Sequence, residues 1–308
     1  MSALPFRFGA VTDELDDDLE RAVAIARDLG VEAIELNQVW GHNIVELADT
    51  EIAQVRRIVT ESGVRVVAID PPCFKLCHVD HLPAGQIMDD PEVAQHFAML
   101  QRALLLAQRL SAPFVRVFAF RRRGIAGLGN PSPRLPDGGP IPPEALDRVA
   151  EALSEAARRA EAVGVVLALE NVRSCWANTG ANTARILDAV GSPALQALWD
   201  PGNDFVSGGV PYPNGYEAVR PRVVHVHVKD ARVIDPTAGL TRWEAIGDGE
   251  IDYPGQIRAL LEDEYNGVVS LETHWRPDGG SAESASRTSF AGLLELVREA
   301  EDSATGGV

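Results

Sequence analysis

Cysteine is scarce in this chain and positive charge is short. Three cysteines (Cys73, Cys77 and Cys175) in 308 residues are an odd number and too few for a disulfide framework. Cys73 and Cys77 stand four apart with no second pair to complete a zinc knuckle. The thiols read as reduced, so the expected location is the cytoplasm. Lysine and arginine total 28 against 45 aspartates and glutamates, a net charge of −17. A surface so poor in cations repels phosphate backbones and anionic bilayers, which argues against a nucleic-acid or membrane partner. It leaves room for an anionic small substrate, because a basic cluster or a metal ion can reverse the sign inside a pocket. Long apolar runs are missing too. No segment approaches a membrane span, and the opening MSALPFRFGAVTDEL lacks the basic start and apolar core of a signal peptide.

What is present is a regular alternation. Short β-rich runs occur at 6–12, 31–36, 64–70, 113–120, 165–170, 195–200, 223–228 and 267–273, with amphipathic helical stretches between them. The runs are branched and nearly continuously apolar, the character of parallel strands buried on both faces. Gly30, Gly63 and Gly164 follow helical stretches where a C-terminal cap belongs. Eight such units and a final helix predict an α/β fold, a (β/α)8 TIM barrel. A doubly wound sheet competes, but no GxGxxG follows the first run. Residues 1–300 read as a single domain and 301–308 as a disordered tail. Three loops, after strands three, four and seven, are unusually long, and all fall on the C-terminal face where barrel enzymes place their chemistry.

Glu170, Asp200, His227 and Glu272 stand at the ends of consecutive predicted strands, separated by 30, 27 and 45 residues. Residues at equal depth on neighbouring barrel strands converge, so three carboxylates and an imidazole would face one another. Without a cation that set repels itself; with a divalent metal it is a mixed oxygen and nitrogen site suited to manganese, magnesium, cobalt or zinc. The competing reading is that each acid caps a helix or pairs with an arginine. In VVHVHVKD, His225, His227 and Lys229 share the period-two parity of a strand and point into the barrel. His227 lies nearer the mouth, as a metal ligand. His225 is one layer deeper, where a hydrogen-bonded core role competes with substrate contact. Lys229 is expected at the rim, directed at a substrate oxygen.

The stretches LALENV, LWDPGN, VVHVHVKD, IGDGEIDY and VSLETHW, supported by PPCFK and VRVFAF, resemble in order and spacing the sugar phosphate isomerase/epimerase superfamily, the xylose isomerase-like barrels, over roughly 5 to 295. That resemblance implies one divalent ion, Mn2+ first, with Mg2+, Co2+ or Zn2+ as alternatives, held by Glu170, Asp200, His227 and Glu272. It implies that Glu170 and Glu272 form an acid/base pair, one removing a proton beside a carbonyl and the other returning it around a metal-stabilised enediolate. The expected activity is isomerisation or epimerisation of a sugar, keto-sugar or cyclitol. The alternative is a lyase on the same scaffold, an inosose or dehydroshikimate-type dehydratase or a glycoside eliminase; a non-catalytic sugar-binding subunit is a third class. Many epimerases of the group carry a histidine where Asn203 stands, and some carry an arginine where Val233 stands; both departures count against a ketose 3-epimerase. In the branch of DNA-repair endonucleases with three zinc ions, extra ligands are needed where Thr241 and Trp243 stand. Homo-oligomers are common among such barrels.

Among supporting residues, Glu35 at strand two is expected to contact substrate or to brace a metal ligand. Lys75, Arg116, Asn203, His225 and Lys229 complete the expected substrate contacts. Asp13 and Glu14 are expected to cap the first helix. Arg121 opens an RRR run that reads either as a solvated loop or as a positive cover for the mouth. Trp40, His274 and Trp275 are expected to line the pocket, while His42, His78, His81 and His96 have no evident partner.

Overall fold

A computed structural model describes residues 4–123, 132–133 and 139–305. Eight parallel strands close a barrel: β1 (Arg7–Val11), β2 (Ala33–Leu36), β3 (Arg65–Ile69), β4 (Phe114–Val117), β5 (Val166–Glu170), β6 (Leu195–Trp199), β7 (Val223–Val228) and β8 (Val268–Leu271). Each pairs with its neighbours in chain order and β1 closes on β8, through Arg7–Ala10 against Val268–Leu271. This is the predicted (β/α)8 barrel. Helices α1 (Leu19–Leu29), α2 (Asp49–Ser62), α3 (Pro91–Leu110), α4 (Pro143–Glu161), α5 (Gly180–Val190), α6 (Pro201–Val206), α7 (Tyr253–Glu262) and α8 (Ala282–Thr305) follow the strands in turn. No described helix is long and apolar enough to cross a membrane.

Local chemistry sets the boundaries. Asp18 accepts the Arg21 N–H at the start of α1, and Gly30 ends the helix at φ 77°, a left-handed turn open to glycine without a steric cost. Gly63 closes α2 in the same way at φ 76°. Gly164 differs from the expectation: α4 ends at Glu161 with Ala162 in the cap position, and Gly164 takes its positive φ of 69° in the turn into β5. The final helix α8 runs to Thr305, well into the segment expected to be a disordered tail, and residues 306–308 lie outside the described ones.

Period two divides each strand between barrel lumen and helix layer. Val226 and Val228 on β7 are buried in the main apolar cluster, while His225 and His227 between them face the lumen. At about 1.5–3 kcal/mol for each fully buried aliphatic side chain, the helix-facing rows hold the barrel together. The lumen's lower end is plugged by a separate cluster of Ala33, Val67, Ala68 and Val268 with Phe114 against it. Gly9 permits this closure, since a Cβ there would lie 2.3 Å from Ser270 Oγ and 2.5 Å from Val268 Cγ1.

The loop after β7 is not irregular. Asp230–Asp235 and Leu240–Glu244 form an antiparallel hairpin, and Leu240 and Thr241 pair in turn with Ser132 and Pro133. The loops after β4 and β7 therefore join at the mouth. The rest of the Gly/Pro-rich run of the β4 loop, over 124–131 and 134–138, lies outside the described residues.

Candidate active site

The ends of β5 to β8 bring Glu170, Asp200, His227 and Glu272 together, each buried, with ligand-capable atoms all within 4.8 Å of one another. His227 shows which nitrogen faces the cluster. Its Nε2 donates to Glu35 Oε2 at 2.9 Å, since a carboxylate there can only accept. Its Nδ1 points at Glu272 Oε2, 3.3 Å away, and Glu170 Oε1, 3.9 Å away. Nδ1 has no hydrogen-bond partner despite full burial, and neither does Glu170 Oε2. A ring nitrogen and a carboxylate oxygen, both buried without a hydrogen bond and facing the same cluster, fit a divalent cation with three oxygen ligands and one nitrogen ligand.

Neighbouring amides fix the carboxylates. Asp200 caps α6 by accepting the Asn203 N–H at 2.8 Å. Asn203 Nδ2 donates to Glu170 Oε1 at 2.9 Å and to Asp200 Oδ2 at 3.0 Å. Asn171 clamps the Asp200 backbone from both sides, accepting its N–H and donating to its carbonyl, each at 2.8 Å. Arg116 Nη1 lies 3.3 Å from both Glu170 Oε2 and Glu272 Oε1. Lys229 Nζ is 2.8 Å from Asp200 Oδ2 and also pairs with Glu272 Oε2.

The electrostatics follow from burial set against these pairs. Burial opposes the charged form of His227, yet Glu35 and Glu272 outweigh it and hold the imidazole well above its usual value. The same field that favours a proton at Nδ1 favours a metal cation there. Burial likewise opposes ionised Glu272, but Lys229 and His227 hold it well below the ordinary carboxylate range. Asp200 is pushed up to about 6 by burial, with Lys229 opposing. Asp70 is driven well above its usual value by burial, against the opposing Arg116 guanidinium.

Above the cluster opens a pocket of about 420 Å³, the size of a monosaccharide or cyclitol site, lined among others by Asn37, Lys75, Arg116, Phe118, Asn203, Lys229 and His274. Lys75 lies half-buried with its ammonium 4.6 Å from the centre of the Phe118 ring. Four non-glycine residues just past barrel strands hold positive φ: Trp40, Phe74, Phe120 and His274. Such turns are costly and concentrate where a site demands a particular direction of the chain. At Phe74 the cost is met by His96, whose Nδ1 accepts the Phe74 N–H at 2.9 Å.

Several expectations need correcting. Glu35 and His225 do not reach the pocket as substrate contacts; they take their other readings, a brace behind a candidate ligand and a hydrogen-bonded core histidine. Both are wholly buried beneath it, and Glu35 bridges His225 Nε2 at 2.8 Å and His227 Nε2 at 2.9 Å. Lys229 does not stand at the rim; it is 1% exposed and folded back into the ligand cluster. Asp13 does not cap a helix but accepts the Gln38 N–H and the Asn37 amide, tying down the loop after β2. Glu14 is buried against Arg276. Arg121 makes an isolated antiparallel backbone pairing with Cys175, while Arg122 stacks over Trp176 with its guanidinium carbon 5.0 Å from the ring centre. His96 has the partner the sequence did not reveal. Lys75, Arg116, Asn203 and His274 line the pocket as expected. Trp40 and Trp275 are not among its lining residues.

Asp70 and Asp230 were missed. Asp70 directly follows β3, much as Glu170 closes β5, a signal that strand-end position alone carried. Asp230 accepts N–H groups from Ala231, Gly247 and Gly249, which pins the IGDGEIDY segment beneath the hairpin.

Among known proteins, the family described as xylose isomerase-like TIM barrel matches residues 23–296. The 2-epi-5-epi-valiolone 7-phosphate 2-epimerase of Actinoplanes sp. is 26% identical over 258 residues, covering 79% of this chain and 82% of that one. The zinc-bound IOLI protein superposes with a TM-score of 0.73 at 18% identity, covering 95% of this chain and 98% of that one. A xylose isomerase-like barrel protein from Mycobacterium smegmatis, in complex with magnesium, gives 0.66 at 18% identity, covering 97% and 99% of the two chains. At these identities the two structures speak for the fold.

Proposed function

Because this chain belongs to the xylose isomerase-like TIM barrel family, we propose that it is a cytoplasmic, divalent-metal-dependent isomerase or epimerase of a sugar, keto-sugar or cyclitol. One observation carries the reading: four ligand-capable side chains within 4.8 Å of one another at the floor of a sugar-sized pocket. Glu170, Asp200, His227 and Glu272 would hold the ion, with Mn2+ favoured for a set richer in oxygen than nitrogen. The relative from Actinoplanes is named as a 2-epimerase of 2-epi-5-epi-valiolone 7-phosphate, and of the two structural neighbours one is described in complex with magnesium and the other with a bound zinc atom.

When bound, the ion supplies a Lewis acid that polarises the substrate carbonyl and acidifies the neighbouring C–H. The chain's own groups supply the rest. In the metal-free cluster Lys229 and His227 hold Glu272 ionised, the form that can accept that proton. Glu170, oriented by Asn203 Nδ2, is the partner that returns one. Lys75 and His274 are positioned to contact hydroxyl or other oxygen substituents.

Proton NMR in D2O tests this on a panel of ketoses, inososes and dehydroshikimate, with Mn2+-replete enzyme beside an EDTA-treated control. Metal-dependent deuterium uptake next to a carbonyl is the expected result. Vinylic signals would instead assign a dehydratase. Glu272→Gln should lower turnover by about 10²–10⁴-fold with substrate binding retained; unchanged turnover would remove Glu272 from the proton transfer.

A further inference from the structure

Lys229 occupies an unusual place for a residue two positions beyond a ligand histidine. Its ammonium lies between Asp200 and Glu272, two of the four ligands, and pairs with both. The stem is built into its slot. A Cβ on Gly202 would stand 2.4 Å from Lys229 Cγ and 2.7 Å from its carbonyl oxygen, so glycine in DPGN is what lets the lysine lie against the start of α6. Tyr253 fixes the backbone from the other side, accepting the Lys229 N–H at 3.1 Å and donating to its carbonyl at 2.8 Å. The end of the side chain borders the pocket, and the Trp243 ring lies with its centre 5.7 Å from Nζ, within reach of a cation–π contact.

We propose that Lys229 is the resident cation of the ligand cluster, and that a divalent ion enters only by exchanging with its ammonium, which turns out toward the pocket and the Trp243 face. The proposal rests on the metal-site reading above and adds to it a competitor carried by the chain itself. Three carboxylates facing one another must either hold a proton or share a positive charge. Arg116 reaches Glu170 and Glu272, and Asp200 has Lys229. The lysine therefore keeps the ligands gathered before metal arrives, at the expense of apparent metal affinity. That affinity falls by the fraction of molecules with the ammonium outside, so a state populated at about 1% weakens binding about 100-fold. Once displaced, the ammonium faces the substrate, where it can donate to an oxygen.

Titration of the metal-free protein with Mn2+, by calorimetry, compares wild type with Lys229→Met, which keeps the stem and removes the charge. Lys75→Met is the control for any nearby cation, since Lys75 lines the same pocket outside the cluster. The expected result is Mn2+ binding at least about 10-fold tighter in Lys229→Met and within about 3-fold of wild type in Lys75→Met. Acetylation footprinting of the wild-type protein by mass spectrometry gives an independent readout that survives a folding failure of the variant. Lys229 should be protected without Mn2+ and labelled with it. Equal affinities, or protection of Lys229 in both states, would overturn the exchange and leave the metal-dependent function standing. Binding to Lys229→Met but not to wild type would support the lysine as resident cation and remove the metal from the proposed function. Binding to neither, with Lys229 protected throughout, would remove both.

Discussion

Glu35 accounts for more of this site than its depth suggests. It sits below the pocket floor, yet its two oxygens take the Nε2–H groups of both His225 and His227. A carboxylate behind a ligating imidazole fixes the tautomer and raises the basicity of the far nitrogen, here Nδ1. Glu35→Gln keeps the shape and removes the charge. It should weaken Mn2+ binding by about 10–100-fold with the circular dichroism spectrum unchanged; an unaltered affinity in calorimetry would reduce Glu35 to packing. Gly249 is set by proximity rather than by backbone freedom. A Cβ there would lie 1.9 Å from Asp230 Oδ1, inside the N–H cradle that Asp230 fills. Gly249→Ala should cost about 1–3 kcal/mol, the range for overpacking a tight site. Urea unfolding would detect it, and a loss under about 0.5 kcal/mol would mean the strap moves aside freely.

At the scale of elements, strand β7 was legible because a period of two is unambiguous: valines to the helices, histidines and the lysine to the lumen. Parity gives the direction of a side chain but not its reach, so Lys229 was correctly aimed and wrongly placed. Glu35 beneath two imidazoles joins residues 190 and 192 positions apart, a distance at which no local pattern speaks. The hairpin after β7 did leave a trace. The burial of Asp230–Asp235 alternates over its second half, and the PTAG between the two runs is turn chemistry. Its length drew it into the loop reading instead. Helix starts do carry capping chemistry, although the one cap expected, at Asp13 and Glu14, is not formed. Asp90 accepts N–H groups from Glu92 and Val93 at the head of α3, 2.9 and 3.1 Å away, with Pro91 at the first position. Asp90→Ala should therefore lower unfolding free energy by about 1 kcal/mol. Denaturant titration with an unchanged m-value is the check; no shift in midpoint would mean that solvent satisfies those groups equally well.

For the whole molecule, the acidic lumen ties stability to pH and to metal together. Burial pushes Asp200 up to about 6 from an ordinary 3.8. A carboxyl raised in this way stabilises the fold while it keeps its proton, and that contribution is lost as pH climbs through about 6. His227, held well above 6.5 by Glu35 and Glu272, adds a loss of the same sign at higher pH. Glu35 and Glu272 are depressed and act in the opposite sense, but only as pH falls below their ordinary 4.5. From these groups, metal-free stability should decline from mildly acidic toward neutral pH. A bound cation takes the place of the protons on Asp200 and His227, so its stabilisation should grow across the same interval. Saturation to about 100 times Kd is worth about 2.7 kcal/mol. The rise in Tm on adding Mn2+ at that multiple of the Kd measured near neutral pH should thus be larger at about pH 7.5 than at about pH 5.5. Asp200→Asn should shrink the difference by removing one of the two competing protons. An equal rise at both pH values would mean that the ion binds without displacing protons from Asp200 and His227.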